Sequence, residues 1–224
     1  MYGEKIQKGG GMRKVRLLQV ASLLSIFSLF FVTGEAEAQL YGLLHPAKPV
    51  RQSSLVGGGY LLLAGGADIG LVGQLRHGVS RNMDIGGKLG FLSEGDGGIM
   101  LGGDIMGEIV HAGKDSPFNL SLDGSIELFF PENVTIFAIN GAGIIDDVFH
   151  LENGKDLRPY GAIALDIVTF DPESRLAETQ TDLEISLIGG IVYGVSSQID
   201  ILGEIQISSI GDAEVGLNAG LNFR

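Results

Sequence analysis

The residues of this chain best placed to do chemistry are carboxylates. Asp68, Asp84, Asp104, Glu108, Asp123, Glu127, Asp166, Glu184, Asp200, Glu204 and Glu214 recur at alternate positions among apolar residues. Arg76 and Lys88 are the chief cations that fall on the same side of the alternation. Carboxylates gathered on one face can favour cations along a water-filled path. Where they crowd a dry space they must carry raised pKa values or find hydrogen-bond partners. The lopsided balance therefore predicts either a wet, acidic interior or a closed one in which Arg76, Lys88, Ser, Asn, Gln and trapped water satisfy the acids.

Other chemistry is sparse. There is no Cys, which removes disulfides, thiol nucleophiles and Cys-based zinc sites together. His45, His77, His111 and His150 fall in an N-terminal leader or beside one set of strand ends. No His-Ser or His-Asp grouping with catalytic spacing is readable near the other ends. His77 and His111 read as amphipathic residues at an interface, and no catalytic, cofactor or metal residue is assigned. Gly141-Ala142-Gly143 lacks the third glycine and the strand-to-helix setting of a dinucleotide fingerprint. Gly57-Gly58-Gly59 reads as a strand bend or close backbone packing, and Glu94 with Asp96 as a solvated turn. A formal charge of −12, with no Lys/Arg cluster beyond residue 16, excludes nucleic acid as a partner.

Strands written in period two must position the acids. From Ser54 onward no segment carries apolar residues at helical spacing over three turns, whereas alternating runs separated by turn signals recur throughout. The expected strands are 54–64, 68–78, 83–92, 98–110, 117–130, 134–150, 158–170, 183–194, 198–208 and 212–223. Most are long enough to cross a bilayer at a tilt. In 198–208 the isoleucines at 199, 201, 205 and 207 oppose Gln198, Asp200, Glu204, Gln206 and Ser208. Strand 134–150 is the weakest of the set, because Asn140-Gly141-Ala142-Gly143 interrupts it; its loss would leave eight strands. Phe118, Tyr160, Tyr193 and Phe223 are expected as one aromatic girdle, and Phe91, Phe129, Phe130, Phe137 and Phe170 as the other.

One device occurs twice. His77-Gly78-Val79-Ser80-Arg81-Asn82-Met83-Asp84-Ile85 and Tyr193-Gly194-Val195-Ser196-Ser197-Gln198-Ile199-Asp200-Ile201 share a tight turn opened by Gly-Val-Ser and closed by apolar-Asp-Ile. If Gly78 and Ser80 mark one such turn, and Gly194 and Ser196 another on the same side, an even number of strands separates them. Both ends of the barrel chain then lie on that side. The opposite loops are expected at 65–67, 93–97, 131–133, 171–182 and 209–211, with only Asp171 to Asp182 long. Inward glycines such as Gly86, Gly90, Gly102, Gly216 and Gly220 would leave room for water.

Residues 1–38 read as a signal peptide. Arg13-Lys14-Val15-Arg16 forms a positive start, Leu17 to Val32 an apolar run too short to span, and Ala36-Glu37-Ala38 a small-x-small cleavage site. Met12 is an alternative start. Residues 39–53, with Pro46 and Pro49 and no period, read as a flexible periplasmic leader, and 54–224 as the barrel.

The run Gly70 to Gly86, together with Leu157-Arg158-Pro159-Tyr160-Gly161-Ala162, resembles the strand-turn-strand idiom of bacterial outer-membrane β-barrel proteins. The resemblance implies an all-β, antiparallel, up-and-down transmembrane barrel of about ten strands in the outer membrane of a Gram-negative cell envelope. It implies lipid and the barrel-assembly machinery as partners, with the turns at 78–82 and 194–198 periplasmic. The family favours a C-terminal aromatic, and here Arg224 follows Phe223. Three functions stay open: a porin-like barrel with a structural or binding role and no catalysis, a narrow cation-favouring diffusion pore, and a soluble secreted barrel binding a small apolar ligand.

Overall fold

A computed structural model describes residues 42–63, 69–93, 97–113, 116–132, 134–172, 179–208 and 214–224. The elements in order are β1 (Leu55–Leu63), β2 (Ile69–Gly78), β3 (Met83–Leu92), β4 (Gly98–Val110), β5 (Asn119–Pro131), β6 (Val134–Asp146), β7 (Phe149–His150), β8 (Asp156–Pro172), β9 (Gln180–Gly194), β10 (Ile199–Ser208) and β11 (Glu214–Phe223). Ten of them are long. The two-residue β7 pairs only with the start of β8, in a small side hairpin with Phe149 opposite Leu157. Each long strand pairs antiparallel with its sequence neighbours. β1 closes the ring against β11, from Gly57↔Phe223 to Leu63↔Leu217. The result is a closed up-and-down barrel with no free edge, the one sheet that satisfies every ladder group inside lipid.

Closure turns the period-two alternation into an inside and an outside. Along β2 the pattern is strict: Ile69, Leu71, Gly73, Leu75 and His77 point out, and Gly70, Val72, Gln74, Arg76 and Gly78 point in. The outer surface carries Leu71, Leu75, Leu89, Ile105, Leu122, Ile126, Ile163, Leu165 and Leu183, each about half exposed or more. The interior carries Arg76, Asp84, Lys88, Glu127, Glu184 and Glu204, all buried. A soluble barrel requires the reverse polarity. Lipid is the solvent that makes the apolar exterior favourable, and the soluble alternative fails on this sidedness.

The turn device has the same geometry in both copies. Val79 and Ser80 N–H both donate to Met83 O, and Val195 and Ser196 N–H both donate to Ile199 O. The serine hydroxyl then accepts from the backbone N–H of Asn82 in the first and of Gln198 and Ile199 in the second. This is local side-chain bonding that competes with the strand ladder and so ends it.

Several expectations need correction. Strand 134–150 ends at Asp146, and the alternation breaks at Asp147-Val148; ten long strands remain without the last four residues. The loop expected across 171–182 is shorter, because β8 and β9 continue to Pro172 and from Gln180. Thr169 and Thr181 pair across them with hydroxyls 3.2 Å apart. Tyr160 and Phe129 are not girdle residues: both are buried inside, whereas Phe118, Phe223, Phe91 and Phe130 are exposed. Inward glycines hold neighbouring side chains. A Cβ on Gly220 would lie 2.2 Å from the Tyr60 ring, and one on Gly86 would lie 2.4 Å from Asp104 Oδ2. Asp68, Glu94 and Asp96, and the segments 1–38 and 39–41, lie outside the described residues.

Candidate functional site in the lumen

The largest departure from the sequence reading is the leader. The segment expected as a flexible tail enters the barrel at the end where the Gly-Val-Ser turns lie and packs against its inner wall. Leu43, Leu44, His45 and Ala47 are all buried, Ala47 completely. Leu43, Leu44 and Ala47 join one apolar cluster with Ile144, Tyr160, Ala162, Ile188, Val192 and Leu202 of the wall. Burying each leucine is worth about 1.5–3 kcal/mol, which no solvated tail would gain.

A proline-bearing segment without secondary structure cannot satisfy its own backbone, so the wall does this for it. Lys88 Nζ donates to Gly42 O at 3.1 Å, and Ser121 Oγ donates to Ala47 O. Leu44 N–H donates to Glu204 Oε2 at 3.1 Å, Lys48 N–H to Asp146 Oδ2 at 3.1 Å and Val50 N–H to Asp84 Oδ2 at 2.6 Å. Two of the acids that made the interior look lopsided, Asp84 and Glu204, are thus acceptors for plug amides, and Asp146 is a third acceptor outside that set. Leaving the lumen, the segment runs beside β2: Ser53 N–H donates to Gly78 O and Gly78 N–H to Ser54 O. A side chain at Gly78 would strike Arg51 O at 2.2 Å, so this glycine is needed for close approach as well as for the turn. Gly42 is equally constrained, since its Cβ would lie 2.1 Å from Glu204 Oε1. Leu44 adopts φ 61°, a left-handed backbone that costs a non-glycine residue about 1–3 kcal/mol and persists only where surroundings enforce it.

The wall groups satisfy one another around the plug. Arg76 on β2 bridges Asp84 at 2.5 Å and Asp104 at 2.6 Å. Lys88 pairs with Glu127 at 3.0 Å. Glu204 also accepts from Tyr160 OH at 2.5 Å and Asn218 Nδ2 at 2.9 Å. Asp146 accepts from Asn119 and Asp166 from Ser186, while Asp200 is held by Arg224 at 2.5 Å. Arg224, whose place after Phe223 departs from the family pattern, thus closes the network at the turn end. Toward the other end of the strands the lumen is apolar on one side, where Leu62, Leu92, Met100 and Phe129 are almost wholly buried.

The remaining site residues divide. Glu184 is fully buried. Glu108 is partly buried beside the bulge between Glu108 and Val110, where it meets His111 at 3.0 Å, and so leaves the central cluster. The side chain of Glu214 lies outside the described residues. Ser80 and Ser196 sit in the two turns, and Gly78 and Gly194 end the strands before them. His45, assigned no role from sequence, stands against Asp123, its Nε2 3.6 Å from Oδ2. Burial, with Arg76 and Lys88 adding, pushes its pKa well below the usual imidazole range. The histidine rings of the described residues contact Pro46 O, Asp123, Glu108 and Asp156, none of them a hydroxyl. Between plug and wall at the turn end lies a cavity of about 820 Å³, lined in part by Arg51, Arg81, Arg158, Arg224, Asp156 and Asp200.

No family model matches the chain, and no curated protein matches it. Among solved structures it is similar to a bacterial polysaccharide outer membrane secretin (10% identity, TM-score 0.46), over 70% of this chain and 57% of the secretin. It is also similar to the β domain of the Bordetella autotransporter BrkA (12% identity, TM-score 0.42, 75% of this chain and 97% of that one). The KdgM porin follows at 7% identity and TM-score 0.37, over 75% of this chain and 98% of that one. The chain is a closed, antiparallel, ten-stranded β-barrel, apolar outside and polar within, with its own residues 42–50 running into the lumen.

Proposed function

We propose that this protein is exported to the bacterial outer membrane and serves there as a non-catalytic barrel with a structural or binding role, its lumen kept shut by residues 42–50. The observation that carries this reading is the set of five hydrogen bonds between wall side chains and the backbone of Gly42, Leu44, Ala47, Lys48 and Val50. A conduction path would have to break them. Residues 1–38 direct export, and the turns at 78–82 and 194–198 face the periplasm. The cavity at that end is where a periplasmic ligand or partner would bind.

A narrow cation-favouring pore is the second reading. The observation that favours it is the surplus of buried wall carboxylates, which would line an acidic path once the segment withdrew. Planar-bilayer recording on the purified, folded full chain separates the two. The plugged barrel is electrically silent, and discrete cation-selective steps in the wild type would overturn it. Recovery of the protein in the soluble fraction without detergent would overturn the membrane location.

A further inference from the structure

Beside the plug, three buried acceptors face one another with no donor between them. His45 comes from the plug, Asp104 from β4 and Asp123 from β5, and one ligand atom from each lies within 4.8 Å of the others. Pro46 O is a pure acceptor 3.2 Å from His45 Nδ1, so Nδ1 carries the ring proton and donates it there. This leaves Nε2 with a free lone pair 3.6 Å from Asp123 Oδ2. Asp123 is 8% exposed, Asp104 is 7% exposed, and no hydrogen-bond donor of the described residues reaches Asp123 Oδ2 or Asp104 Oδ2. Arg76 Nη1 is 2.6 Å from Asp104 Oδ1 but without the alignment of a hydrogen bond. Acceptor facing acceptor in a buried space is repulsive unless a cation or a proton lies between them.

We propose that His45 Nε2, Asp104 and Asp123 bind a divalent cation of the zinc class, which ties the plug to β4 and β5. Charge points to a dication. Arg76 and Lys88 stand among Asp84, Asp104, Asp123 and Glu127, which leaves this quarter of the lumen two positive charges short. The donor set of one imidazole and two carboxylates suits zinc or its neighbours better than calcium, which takes oxygen alone. Ligands about 2.1 Å from a tetrahedral ion stand roughly 3.4 Å apart, close to the 3.6 Å between His45 and Asp123. The Nδ1–H bond to Pro46 O is the outer contact that fixes the tautomer of a ligating histidine. Glycine at 86 keeps Asp104 in place, because a Cβ there would collide with its carboxylate.

This inference rests on the lumen being occupied by residues 42–50, and the test separates the two. The full chain, folded in detergent and stripped with a chelator, is titrated with Zn²⁺ and, for its visible spectrum, Co²⁺. One equivalent should bind, Co²⁺ should give the absorption of a site containing nitrogen, and Zn²⁺ should raise the temperature at which the barrel loses its compact gel mobility. His45→Ala and Asp123→Asn should weaken Zn²⁺ by more than about tenfold, while His111→Ala with His150→Ala leaves it unchanged. Compact gel mobility in each variant shows that it has folded. Uptake that survives His45→Ala and Asp123→Asn, or no stoichiometric uptake by the wild type, overturns the site and leaves a shared proton to hold these acids. In parallel, cysteines replacing Ala47 and Ser121, whose native atoms are hydrogen-bonded, are oxidised in the otherwise Cys-free chain. If they cross-link and zinc does not bind, the plug stands and only the metal site falls. If they do not cross-link and zinc does not bind, the plug and the site fall together.

Discussion

Glu204 is the most demanding test of the occupied lumen. Its carboxylate takes three donors from three places: Leu44 N–H of the plug at 3.1 Å, Tyr160 OH of β8 at 2.5 Å and Asn218 Nδ2 of β11 at 2.9 Å. It is 3% exposed, so water does not readily replace it. Glu204→Ala strands all three donors, and each buried donor left unmade costs about 1–3 kcal/mol. Partial entry of water lowers the sum, and a loss of about 4 kcal/mol is expected. Glu204→Gln keeps one oxygen and turns the other into a donor among donors, for a loss of about 2 kcal/mol. Urea unfolding of the folded protein in detergent, followed by far-ultraviolet circular dichroism and by gel mobility, measures both. Hydrogen exchange at the Leu44 amide should rise in both variants, and more in the alanine variant. If Glu204→Ala unfolds within about 0.5 kcal/mol of the wild type and the Leu44 amide stays protected, the plug does not depend on the wall and the reasoning fails.

Other consequences are as direct. Gly42→Leu places carbon where Glu204 and Asn218 stand; it should drive the segment out, and protease should then cut near residue 51 in folded protein where the wild type resists. Arg76→Met leaves Asp84 and Asp104 without their shared cation and should cost about 3–5 kcal/mol in the same unfolding assay. Gly220→Ala drives a methyl into the Tyr60 ring and Gly59 O, and about 1–3 kcal/mol of overpacking is expected, partly relieved by Tyr60→Ala. Ile126→Lys puts a charge on the apolar exterior at mid-strand; a loss of about 2–4 kcal/mol in lipid is expected, and a neutral result would remove the bilayer from that face.

What the sequence determined by itself is the part of the structure that is local. Alternation with period two needs only a strand's own residues, and so β2, β3 and β4 are found within a residue of where the pattern puts them. The Gly-Val-Ser turns are legible for the same reason, since their hydrogen bonds reach only from Val79 to Met83 and from Val195 to Ile199. The sign of the interior was also readable, because charge at every second position faces one way. What those charges meet is settled by closure and register. The plug has no period, and its partners are 34 to 160 residues away in the chain, so nothing in Gly42 to Ser54 announces that Asp84, Asp146 and Glu204 will accept its amides. Tyr160 and Phe129 read as girdle aromatics until closure placed them inside. Gly220 and Gly86 read as space for water until strand register set the Tyr60 ring and the Asp104 carboxylate over them. His45 gained its two carboxylate neighbours only because the chain turns back into its own barrel. A pattern fixes which way a side chain points, whereas contacts across a lumen depend on closure and register, which come from the whole ring at once.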